Sequence, residues 1–185
     1  MTPRVENAYP IEISAPDIAP YKAGNTGIDY VTTMDSGKSG PHVLVTAVVH
    51  GNELCGALAL DYFFKSGLRP RAGKLTLAFC NVEAFLSFDA ADPTISRFID
   101  EDFNRIWSED VLDGPRQSQE LTRARILRPV IAEADFLLDI HSMQKKTEAL
   151  MLSGPLPKGR DLAQGTGVPK IVVTDSGHAA GKRMR

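Results

Sequence analysis

Three short runs dense in β-branched and aliphatic residues do most to limit the fold: HVLVTAVVH (42–50), KLTLAFC (74–80) and DFLLDIHS (135–142). Their length and composition mark buried strands rather than helices. Between the first two lies ELCGALALDYFFKSG, apolar on most faces, which reads as a well-buried helix with Gly67 as its stop. Before the third, QSQELTRARILRPVIAEA places Leu121, Ala124, Leu127, Val130 or Ile131, and Ala134 on one stripe, an amphipathic helix. Pro129 inside it predicts a kink or break. EALMLSG and KIVVTDS read as two further strands. Strands alternating with helices argue for an α/β sandwich around a mostly parallel sheet.

Residues 1–41, rich in proline and glycine, read as an irregular lead-in with edge strands at IEIS and IDYVTTM. Residues 81–116 show little periodicity and contain DPTISRFIDEDFNRIW, a long irregular stretch of the kind that often carries function. There is no internal repeat, low-complexity tract or clear linker.

Composition mainly excludes. The 185 residues suit one domain, and 43% apolar with 24% charged residues is a soluble globular profile. A net charge of -2 gives no electrostatic footprint for nucleic acid or an anionic membrane. No apolar run approaches the ~18 residues of a transmembrane helix, and MTPRVENAYPIEISAP lacks a signal-peptide core. Cys55 and Cys80 lie in apolar segments without metal-type spacing, which points to free thiols and a cytoplasmic location. HGNELCGA has neither G-x-G-x-x-G nor a Walker lysine, so a nucleotide-binding reading fails. Oligomeric state is not legible.

In open α/β sheets, ligands collect at the carboxyl ends of strands. His50 ends one expected strand, His141 ends another, and the HGNE turn sets Glu53 three residues after His50. Two imidazoles and a carboxylate suit zinc, which in catalytic sites takes three protein ligands plus a water whose pKa falls to about 7. Cobalt or manganese could replace it in the tube. Asp139, on the same strand face as His141, could fix the imidazole tautomer from behind. The competing reading is a chance H-x-x-E in a polar turn and a satisfied core histidine. His42, at the wrong end of its strand, and His178, in a Gly- and Ala-rich tail, read as surface residues.

SRFIDEDFNR adds Arg97, Asn104 and Arg105 in a loop. Arginine forks bind carboxylates bidentately, and an arginine beside a polarised carbonyl can stabilise an oxyanion. A solvated loop, with Asp100, Glu101 and Asp102 balancing the arginines, is the alternative.

Taken in order, HGNE, SRFIDEDFNR and LLDIHS resemble the succinylglutamate desuccinylase/aspartoacylase family of zinc carboxypeptidase-like hydrolases, over roughly residues 43–142. The resemblance implies a three-layer α/β/α sandwich with a mixed, mostly parallel sheet. It implies one Zn2+ per chain on His50, Glu53 and His141. Arg97 would polarise the substrate carbonyl, and Asn104 with Arg105 would grip its carboxylate. The implied activity is removal of an acyl group from a small N-acyl amino acid. A carboxypeptidase acting on peptides and a non-catalytic metal-binding module are the alternatives. Family members are longer, with a catalytic glutamate beyond the third ligand and a smaller β-rich C-terminal domain. Here no glutamate follows Glu148. Residues 42–185 are therefore expected to be an N-terminal catalytic-domain portion, truncated at its C-terminus. The general base and the C-terminal domain would lie outside it.

Overall fold

The computed structural model describes residues 11–143 and 145–184. Strand β1 (Val31–Asp35) leads into β2 (His42–Ala47), helix α1 (Leu54–Lys65) and β3 (Lys74–Phe79). Two short helices, α2 (Val82–Leu86) and α3 (Glu109–Leu112), punctuate the irregular stretch, with a 3-10 turn at Phe103–Arg105 between them. Helix α4 (Gln119–Glu133) then delivers the chain to β4 (Phe136–Ile140). A final unit follows: β5 (Leu150–Leu152), α5 (Pro157–Thr166) and β6 (Ile171–Val173).

The main sheet has the order β1-β3-β2-β4. β2 pairs in parallel with both β3 and β4, and β1 runs antiparallel on the edge of β3. This is the mixed, mostly parallel sheet expected. Alternation along β2 and β3 sends side chains to two cores. Leu44 and Ala78 pack with Leu121, Ala124, Leu127 and Ile131 of α4 on one face. Val45, Ala47, Leu77 and Phe79 pack with Leu54, Ala57 and Leu60 of α1 on the other. A sheet covered on both faces needs no polar alternation, which is why these strands read as continuous apolar runs.

Four expectations need correction. IEIS (11–14) is not a strand, and Ile11 and Ile13 lie exposed; their side chains find no covered face. Pro129 does not break α4, which continues through it to Glu133. Packing of Leu127 and Ile131 on either side of it into the core holds the helix together. The two late strands do not extend the main sheet but pair with each other in parallel. The helix between them, α5, was not expected. His42 is half-buried rather than superficial, with Nε2 2.7 Å from the Thr76 hydroxyl. Among the described residues no helix is long and apolar enough to cross a membrane.

Candidate metal centre

β2 ends abruptly. Val48, the next residue, has φ 54°, a left-handed conformation that a β-branched side chain adopts only under constraint. Such strain costs on the order of 1–3 kcal/mol and persists only where surroundings over-determine it. Here Val48 is fully buried, and its carbonyl accepts the Asn81 N–H at 3.0 Å. The bend throws the HGNE turn over the carboxyl ends of the strands. Gly51 is required there by contact: a Cβ would come within 2.3 Å of the Ala84 carbonyl carbon and 2.4 Å of the Ser96 oxygen. Its N–H donates to the Arg97 carbonyl at 3.1 Å, which couples the turn to the arginine-bearing loop. Helix α1 then starts at Leu54. At Gly56 it lies so close to the strand ends that a Cβ would meet Ala47 Cβ at 2.9 Å and the Ile140 oxygen at 3.0 Å. This close approach brings Glu53, at the head of α1, to His141 at the end of β4.

The three expected metal ligands converge. The imidazole centroids of His50 and His141 are 5.3 Å apart. Each Nδ1 faces one oxygen of the Glu53 carboxylate: His50 at 2.7 Å from Oε1 and His141 at 2.8 Å from Oε2. One donor atom from each residue lies within 4.8 Å of the others. Zinc–ligand bonds near 2.1 Å in a tetrahedral arrangement separate donors by roughly 3.3 Å. The two imidazole–carboxylate separations, 2.7 and 2.8 Å, are those of direct hydrogen bonds and would have to widen to admit an ion. His50 and Glu53 are buried and His141 is partly exposed, so the cluster has one accessible side.

Behind each imidazole stands a second carboxylate. His141 Nε2 lies 2.6 Å from Asp139 Oδ2, and His50 Nε2 lies 3.0 Å from Asp102 Oδ1. A carboxylate only accepts, so each Nε2 carries the proton it donates outward. By the same rule each Nδ1, facing a Glu53 oxygen, carries a proton here as well. Loss of that proton would leave the Nε2–H tautomer, whose Nδ1 lone pair points inward as metal binding requires. Asp139 is held in turn by the Thr46 hydroxyl at 2.7 Å, and Thr46 and Asp139 are register partners across β2 and β4.

The titratable groups of the cluster shift one another strongly. Burial pushes the Glu53 carboxyl up, but hydrogen bonds from His141 and His50 outweigh it and bring its pKa down to about 2. Burial lowers His141, yet its bonds to Asp139 and Glu53 raise it to about 10. His50 is raised for the same reasons, against burial, by Asp102 and Glu53. Three carboxylates thus draw positive charge onto the two rings, a role that a divalent ion bound by neutral imidazoles would also satisfy.

Arg97 enters the cluster itself. Its Nη1 donates to Glu53 Oε1 at 3.3 Å, and its Nη2 lies 3.8 Å from Asp102 Oδ2. Nη2 is also 3.0 Å from His50 Nε2. With Nε2–H directed at Asp102, that ring nitrogen has no lone pair left for the guanidinium. Arg105 donates to the Asn104 carbonyl at 2.8 Å and approaches Asp102 at 3.8 Å. Buried Asn104 accepts the Met184 N–H at Oδ1, 3.0 Å, so what it can offer an anion is its amide N–H.

Asp102 is the residue that sequence reasoning set aside, as a counter-charge for the neighbouring arginines. Its spacing two residues before Asn104 gave no means of knowing that it turns toward His50. Thr46 was equally hidden inside an apolar strand. His178 lies exposed, with Nδ1 accepting the Ala180 N–H.

Residues 39–183 match the family described as the succinylglutamate desuccinylase/aspartoacylase catalytic domain. An N-acyl-aromatic-L-amino acid amidohydrolase (carboxylate-forming) of Rattus norvegicus is 29% identical over 120 residues, which cover 60% of this chain and 36% of the rat protein. A probable aspartoacylase of Parasynechococcus marenigrum is 34% identical over 85 residues, 46% of this chain and 26% of that one. The matched segment thus spans about a third of the rat protein's length. Among solved structures, murine aminoacylase 3 superposes with a TM-score of 0.57 at 24% identity, covering 80% of this chain and 51% of that one. An aspartoacylase family protein of Mesorhizobium loti gives 0.58 at 18% identity, covering 82% and 49%. At these identities the structural likeness speaks to the fold.

Proposed function

The chain belongs to the succinylglutamate desuccinylase/aspartoacylase catalytic-domain family, and we propose that it holds one Zn2+ and contributes that centre to the deacylation of N-acyl amino acids. The observation that carries this reading is the convergence of both Nδ1 atoms on the Glu53 carboxylate, with a carboxylate behind each ring. Relatives named as amidohydrolases and aspartoacylases support the same reaction class.

His50, Glu53 and His141 would hold the ion. When bound, zinc polarises a carbonyl and lowers the pKa of a water to about 7. Asp102 and Asp139 keep the two rings in the binding tautomer. Arg97, already against Glu53, supplies a fixed positive charge where negative charge grows on the scissile carbonyl oxygen. Asn104 and Arg105 take the substrate carboxylate. This anchors a part of the substrate remote from the reacting bond and turns binding energy into orientation.

Elemental analysis after zinc loading and dialysis tests the centre. One zinc per chain is expected, and His50→Ala and His141→Ala should each fall far below it. Equal zinc in wild type and both variants would overturn the assignment. Calorimetry tests the substrate class on the zinc-loaded chain. An N-acetyl amino acid should bind, and its C-terminal amide should not. Tighter binding of a free-carboxylate peptide than of the N-acetyl amino acid would favour the carboxypeptidase reading.

A further inference from the structure

The loop that brings Arg97 and Asp102 to the metal ligands has almost no regular structure of its own. From Arg97 to Arg105 its only element is the 3-10 turn Phe103–Arg105. Yet two of its side chains must sit within hydrogen-bond range of His50 and Glu53. Something outside the loop has to fix it.

Glu120 lies in the first turn of α4 and is fully buried, and its carboxylate bonds to groups other than His50, Glu53 and His141. Its carboxylate accepts four N–H bonds. Oε1 takes Asn81 Nδ2 at 3.0 Å and the Ile99 N–H at 2.7 Å. Oε2 takes the Asp100 and Glu101 N–H groups at 3.1 and 3.3 Å. Three of the four donors are consecutive backbone amides, and they lie between Arg97 and Asp102. The loop answers from its own side, where Asp100 Oδ2 accepts the Gln119 N–H at 2.8 Å. A buried carboxylate is tolerated only when its lone pairs are filled, and here backbone amides and the α4 N-terminus take the place of a counter-ion.

We propose that Glu120 is a positioning residue of the metal centre, acting through the 99–101 backbone to set Asp102 against His50. The proposal rests on the metal-centre reading given above. It explains why an acid should be sealed inside an amphipathic helix where an apolar residue would pack more cheaply. An isosteric Gln would turn an amide NH2 toward one pair of N–H donors, leaving donors facing a donor. The loop would then shift, and His50 would lose its support.

The test uses the whole chain, with cobalt(II) as the probe metal. In wild type the amides of Ile99, Asp100 and Glu101 should exchange with deuterium as slowly as those of α4. In Glu120→Gln, exchange across 97–105 should rise at least about tenfold while β2 and α1 stay protected. Cobalt affinity should fall roughly tenfold, in the range seen when supporting partners of metal ligands are removed. Asp102→Asn should weaken cobalt similarly, and the double variant should lose no more than Asp102→Asn alone, because both act on one contact. Multiplying losses, or unchanged exchange in Glu120→Gln, would overturn the proposal. If Glu120→Gln does not fold, the wild-type exchange rates decide: unprotected amides at 99–101 refute the anchor. If wild type binds no cobalt, the metal reading falls, and the exchange measurement still determines whether Glu120 fixes the loop.

Discussion

His50 and His141 reach the same carboxylate from scaffolds of different kinds. His141 follows β4 directly, and its outer nitrogen is braced by Asp139 inside that strand, itself tied to Thr46 across the sheet. Sheet register sets Thr46 opposite Asp139, two residues before His141. His50 sits in a turn beyond a strained residue, and its brace, Asp102, comes from an irregular loop 52 residues further along the chain. The buried ring thus depends on the less regular support, while the partly exposed ring depends on the sheet. Precision at a site can come from a strand's register or from a loop pinned at its backbone, and the two should fail differently.

The largest expected effect does not separate the two sides. His50→Ala and Glu53→Ala should each abolish stoichiometric metal binding in dialysis, since a two-donor remnant cannot hold zinc against buffer. Next, Arg97→Ala should lower turnover of an active form by roughly 10²–10³-fold, the usual cost of one oxyanion donor. Bound zinc should be unchanged, and loss of metal in this variant would show that Arg97 supports the ligands instead. The braces come third and divide the scaffolds. Asp139→Asn and Asp102→Asn should each weaken metal about 10–100-fold in chelator competition. Only Asp102→Asn should also loosen the Phe103–Arg105 turn in hydrogen exchange, because Asp102 caps the Asn104 N–H as well. Equal loosening around β4 in Asp139→Asn would erase the distinction. Smallest is Thr46→Val, expected to lower the urea unfolding free energy by about 1 kcal/mol. A change in metal affinity as large as that of Asp139→Asn would mean that the hydroxyl, not the register, aims Asp139.

The fold was legible where chain-local chemistry and tertiary packing agree. Runs such as 42–50 and 74–80 become strands because both their faces are covered, and the α4 stripe meets one of those faces. IEIS has the right residues but pairs with no strand among the described residues. In α5, two glycines and a single buried residue, Ala163, give too little periodicity to read. His50, Glu53 and His141 stood out because strand ends and a tight turn are positions at which function can be anticipated. Asp102 and Glu120 did not. Each was one acid among many, and only the path of an irregular loop turns one toward a histidine and the other toward three amides. Such a path is set by tertiary contacts, which leave no periodic trace.

The packing around Gly51 closes off one route of change. With no space for a methyl group between His50 and Glu53, only glycine fits position 51 while the turn keeps its path. Change must therefore enter elsewhere, and at Arg97 it would be felt at once by Glu53, which that guanidinium bonds.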